Sequence, residues 1–78
     1  VSDGTKRTPS PRIGIVIPHA ANIRRSPGLS GERAFVAFRG ETLRLLEQRM
    51  EVDGEGWLLV EADGKGIGWI YEKSLRPV

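Results

Sequence analysis

The chain contains no cysteine, which removes disulfides, thiolate nucleophiles and cysteine-ligated zinc in one step. Histidine occurs once, as His19, so any imidazole chemistry rests on a single side chain. No apolar run approaches the roughly 18 residues of a membrane span. There is no initiator Met and no signal-peptide apolar region, so the sequence reads as part of a longer protein, and any targeting signal would lie outside it. Seventy-eight residues make one domain. A domain this small buries only about 60% of the surface its unfolded chain exposes, so its core is thin. With no covalent staple available, closing a sheet on itself is the economical route to stability.

Charge of one sign is also scarce once its position is considered. The net charge of +2 comes from residues 1–12, where Lys6, Arg7 and Arg12 face only Asp3. From Ile13 onward nine basic residues balance nine acidic ones. A neutral body argues against a nucleic-acid binder, which needs a basic track. Arg24, Arg25, Arg33, Arg39 and Arg44 nevertheless cluster in the first half of that body.

What is present is β chemistry. Residues 1–12 are polar, carry Pro9 and Pro11, and have no hydrophobic period, so they read as a linker or tail. Ile13-Gly-Ile-Val-Ile17 is a β-branched run ended by Pro18, with Ile13, Ile15 and Ile17 on one face. Ala21-Asn-Ile-Arg-Arg25 is a second extended segment. Ser26-Pro-Gly-Leu-Ser-Gly31 is turn chemistry throughout and reads as a surface loop. Arg33–Arg39 is apolar between two arginines. Glu41–Met50 is ambiguous: its strong helix formers, with Leu43, Leu46 and Met50 at helical spacing, favour helix by propensity. The alternation of Leu43 and Leu45 with Thr42 and Arg44 suits a strand. Glu51–Gly56 reads as an acidic turn.

Gly56-Trp-Leu-Leu-Val60 and Gly64-Lys-Gly-Ile-Gly-Trp-Ile-Tyr71 read as a β-hairpin. A two-residue Asp63-Gly64 turn sets Leu58 against Trp69 and mixes Trp with aliphatic residues on both faces. A three-residue loop, Asp63-Gly64-Lys65, sets Leu58 against Ile70 and Val60 against Gly68. A one-residue slip exchanges the faces completely. The second register is preferred, because it yields an aliphatic core face (Leu58, Val60, Ile70) and an aromatic face (Trp57, Leu59, Trp69, Tyr71).

Three stretches resemble the bacterial SH3-like (SH3b) family: Ala21-Asn-Ile-Arg-Arg-Ser-Pro-Gly28, Arg39-Gly-Glu-Thr-Leu-Arg-Leu-Leu46, and Gly56-Trp-Leu-Leu-Val60 followed by Gly68-Trp-Ile70 and Leu75. The resemblance covers about Ile13 to Val78. It implies an all-β fold, a small half-open barrel of five to six antiparallel strands with a short 3-10 turn near Glu72–Leu75. It also implies that residues 41–50 are strand, and that Val60 and Ile70 point inward. The tyrosine-rich motif of eukaryotic SH3 domains is missing, so nothing points to Pro-x-x-P peptides.

No catalytic set emerges. His19 stands beside Pro18 without a nearby nucleophile, no nucleophile motif marks Ser26 or Ser30, and the acidic turns fail the spacing of a calcium loop. The expectation is a noncatalytic domain with no cofactor and no metal. The candidate ligand-binding residues are Trp57, Leu59, Trp69 and Tyr71 as a stacking strip, with Arg24 and Arg25 as polar anchors. The alternative is that the Ser26–Gly31 loop or the N-terminal segment covers that strip. The family resemblance implies a peptide or cell-wall peptide partner and a place in the cell envelope. A docking contact with another protein domain is the competing reading, and the isolated domain is expected to be monomeric.

Overall fold

The β5–β6 hairpin shows how the rest is built. In the computed structural model, which describes residues 12–78, Leu58 pairs with Ile70, Val60 with Gly68 and Ala62 with Gly66. This is the register of the three-residue loop. Gly64 takes the positive φ of 78° that the tight turn requires, and the Lys65 amide donates to the Ala62 carbonyl at 3.0 Å. Lys65 then reaches back to the Glu41 carboxylate at 3.3 Å, tying the hairpin tip to the turn before β4.

The strands are β1 (Arg12–Val16), β2 (Ala20–Arg24), β3 (Arg33–Phe38), β4 (Thr42–Val52), β5 (Glu55–Ala62), β6 (Gly66–Tyr71) and β7 (Leu75–Pro77), with a 3-10 turn over Glu72–Ser74. They form one antiparallel sheet in the order β3-β2-β6-β5-β4-β1-β7. Val16, Ile23, Leu43, Val60 and Ile70, the largest fully buried side chains, come from five different strands and meet in one core. A sheet can bring five strands to one point only by curling, which gives the SH3-like barrel. It has seven strands, more than the five to six expected. The extra count lies in the short terminal strands β1 and β7, which pair with each other. The expected linker falls, as far as residue 11, outside the described residues, whereas Arg12 already opens β1.

Two local readings gain detail. Ile13, Ile15 and Ile17 share a face, but it is the outer one: Ile13 and Ile17 are exposed while Gly14 and Val16 are buried. Leu75 explains this, because a Cβ at Gly14 would come 2.6 Å from its side chain. The inward position at residue 14 is filled by a leucine from the far end of the chain. The acidic turn narrows from Glu51–Gly56 to Asp53-Gly54, both at positive φ (53° and 80°), as a two-residue hairpin turn requires.

β4 settles the helix–strand ambiguity. Its backbone pairs with β1 on one side and β5 on the other, and it buries Leu43. Helix propensities differ by only about 0.7 kcal/mol per residue, and two ladders outweigh that. The helix-like spacing leaves a trace, since Met50 is exposed and the register shifts between Leu45 and Arg49, with Glu47 at φ 63°. In β3, Phe35 packs against the core while Phe38 is exposed beneath Lys65.

Candidate functional site

A cleft of about 640 Å³ opens between the β2–β3 loop and the β4–β5 turn. β2 supplies Ala20, Ala21, Asn22 and Arg24, whose even-numbered members face outward from the core. The loop adds Leu29 and Ser30. The opposite side consists of Val52, Asp53 and Glu55, and the base of Trp57, Ile70 and Tyr71, with Pro18 and Ser74 at the ends. Gly28 holds the loop against the β4–β5 hairpin, since a Cβ there would press on Val52 at 3.1 Å.

Trp57 and Tyr71 face each other across the β5–β6 ladder, with ring centroids 5.6 Å apart and planes tilted by 53°. The Tyr71 hydroxyl donates to Glu55 Oε1 at 2.7 Å. Ionising the phenol would place two negative charges side by side, so this hydrogen bond raises the Tyr71 pKa above the ordinary value near 10, with desolvation adding to the effect. The Arg24 guanidinium donates to the Gly31 carbonyl at 2.8 Å, which fixes the cation at the loop side of the cleft. Behind Tyr71, Arg49 of β4 reaches Glu72 of the 3-10 turn at 2.9 Å. Glu72 lies where a Cβ of Gly56 would be. That glycine therefore lets the 3-10 turn lock onto β4 and set the position of Tyr71.

Of the six residues singled out from sequence, the cleft brings together Trp57, Tyr71 and Arg24. Trp69 shares their face, opposite Leu59 and Arg24, but lies outside the cleft. Leu59 lines a separate hollow of about 390 Å³ with Arg12, Leu45 and Arg49. Arg25 is exposed and paired with Glu32 at 3.3 Å. The expected strip is therefore split, and its indoles are covered: Trp57 is 3% exposed and Trp69 9%. Asn22, Asp53 and Glu55 were not among the six. Asn22 lies two residues before Arg24 in β2 and shares its outward face. Asp53 and Glu55 gave no signal beyond that of a solvated acidic turn.

Two measurements check this geometry. Both indoles are expected to emit at blue-shifted wavelengths and resist aqueous quenchers; red-shifted, readily quenched emission would mean that they are exposed. Tyr71 is the only tyrosine, so ultraviolet titration reads it directly. Its pKa is expected above that of free tyrosine, and Glu55→Leu should return it toward the free value. Because the folded pKa is the raised one, the stability carried by this hydrogen bond is fully present below the ordinary phenol pKa. It is lost as pH rises through the raised value.

Among the described residues, no three His, Asp or Glu side chains are grouped so as to hold a metal ion. A family model described as bacterial SH3 domain matches residues 19–76, a span containing every cleft residue named above except Pro18. Neither a curated protein nor a solved structure matches the chain.

Proposed function

The chain belongs to the bacterial SH3 domain family, a family of binding modules, and we propose that it is a noncatalytic module whose cleft takes an extended peptide, cell-wall peptide in particular. The observation that carries this reading is the convergence of Trp57, Tyr71 and Arg24 on one cleft of about 640 Å³. That volume lies within the range of about 300–1,000 Å³ typical of small-molecule and cofactor sites, enough for about one or two residues of a peptide. The aromatic base supplies apolar contact area with a polar edge. Asn22, Ser30 and Ser74 add the hydrogen-bonding groups that an extended backbone needs. Trp69, Leu59 and Arg25 serve the fold and the surface in this reading.

The test is an amide chemical-shift titration with soluble muropeptides released from purified cell wall. Shifts clustered at Asn22, Arg24, Asp53, Glu55, Trp57 and Tyr71 are the expected result. Shifts confined to the β3 side, around Phe38, would instead favour docking to another protein domain, and no shifts at all would remove the peptide reading.

A further inference from the structure

Resting on that peptide reading, we infer that the cleft selects a ligand with a primary ammonium group, held by Glu55 and Asp53. Charge pairing and position together single out these two carboxylates. Glu32, Glu41, Glu61, Glu51 and Glu72 each lie within 3.5 Å of a basic nitrogen. Among the described residues four carboxylates have no such partner. Of these, Glu47 and Asp63 line smaller hollows without an aromatic ring, whereas Asp53 and Glu55 stand together on one side of the cleft with the Trp57–Tyr71 base.

Turn chemistry explains Asp53 by itself, since a two-residue turn with positive φ favours Asp or Asn. It does not explain Glu55, which is the first residue of β5. Glu55 uses Oε1 to accept from Tyr71. A carboxylate has a second oxygen and about four lone-pair sites in all, so it can receive an ammonium while keeping that bond. The cation then sits beside this carboxylate, near the hydroxyl end of Tyr71. Arg24 fixes the opposite charge at the loop side, so the cleft is bipolar. A peptide lies in it in one direction, with its ammonium toward Glu55 and its carbonyl or carboxylate groups toward Arg24.

The probes are the N-terminally acetylated tetrapeptide Ala-γ-isoGlu-Lys-Ala, whose lysine bears its one ammonium, and its Nε-acetyl-lysine form, titrated into the whole chain at low salt. Lysine acetylation replaces the charged ammonium by a neutral amide and is expected to weaken binding about fivefold, as for two exposed ion pairs. The Asp53→Asn/Glu55→Gln variant should weaken the lysine peptide by a similar factor and leave the Nε-acetyl-lysine one unchanged. Both substitutions suit the fold, because Asn keeps the turn and Gln keeps an acceptor for Tyr71. The comparison of the two peptides needs no variant at all. Equal affinity for the two peptides would overturn the inference and leave the peptide reading standing. Binding of neither would overturn both.

Discussion

Ile70→Ala is expected to destabilise the domain by about 2–5 kcal/mol, while Ile67→Ala on the same strand should change stability by less than about 0.5 kcal/mol. Ile70 is 0% exposed and belongs to the core, whereas Ile67 is 56% exposed on the opposite face of β6. Domains of this size rarely hold more than about 3–5 kcal/mol, so the Ile70 variant should be largely unfolded at ordinary temperature. The reason lies in the curl of the sheet. Ile70 pairs with Leu58 and shares the core with side chains from β1, β2, β4 and β5, so one truncation loosens packing across the inside of the curled sheet. Urea denaturation, followed by the emission of the two buried indoles, gives both values. Similar losses at 67 and 70 would mean that β6 does not present one inner and one outer face.

The same strand shows why much of the fold was legible. Strict alternation, two glycine-rich turns and a three-residue loop leave one register that separates aliphatic from aromatic residues, and the structure has that register. Gly68 seals it: a Cβ there would come 2.4 Å from Ile23 and 3.0 Å from the Arg24 carbonyl, where β2 crosses β6. β1 was less legible. Ile13-Gly-Ile-Val-Ile17 is apolar on both faces, so alternation cannot choose between them, and Leu75, which does choose, lies at the other end of the chain. In β4 local propensity argued for the wrong element, and only pairing on both edges corrects it.

The site was half legible for a related reason. Alternation assigns a side chain to a face but not to a position around a curled sheet. Trp57, Leu59, Trp69 and Tyr71 share a face, yet curvature and the β2–β3 loop leave Trp57 and Tyr71 in the cleft and the other two outside it. Arg24 stood out in the sequence only by its charge, together with Arg25, and the structure separates the two by placing Arg24 across the ladder from Trp69 and Arg25 on Glu32. Glu55 was not recoverable, since only the three-dimensional turn brings its carboxylate to Tyr71.

Substitutions at Trp57 and Tyr71 are expected to separate support from contact. Trp57→Ala should cost about 3–5 kcal/mol, because its ring is almost wholly buried against Tyr71. Peptide binding would then be lost through the fold. Trp57→Phe keeps an aromatic ring at the base and should recover most of the stability and the binding. Tyr71→Ala is the opposite case. Tyr71 is only partly buried, so the variant should remain folded. A contact residue at the centre of a site is worth about 2 kcal/mol or more, which predicts roughly thirtyfold weaker binding of the tetrapeptide. Denaturation and titration of the same three proteins supply both readouts. A folded Trp57→Phe variant that no longer binds would show that the indole itself meets the ligand. A Tyr71→Ala variant with unchanged affinity would move the contact surface away from this cleft. The pairing of the two rings makes the distinction sharp: each shapes the same cleft, one from beneath and one at its open surface, so stability should follow the first and affinity the second.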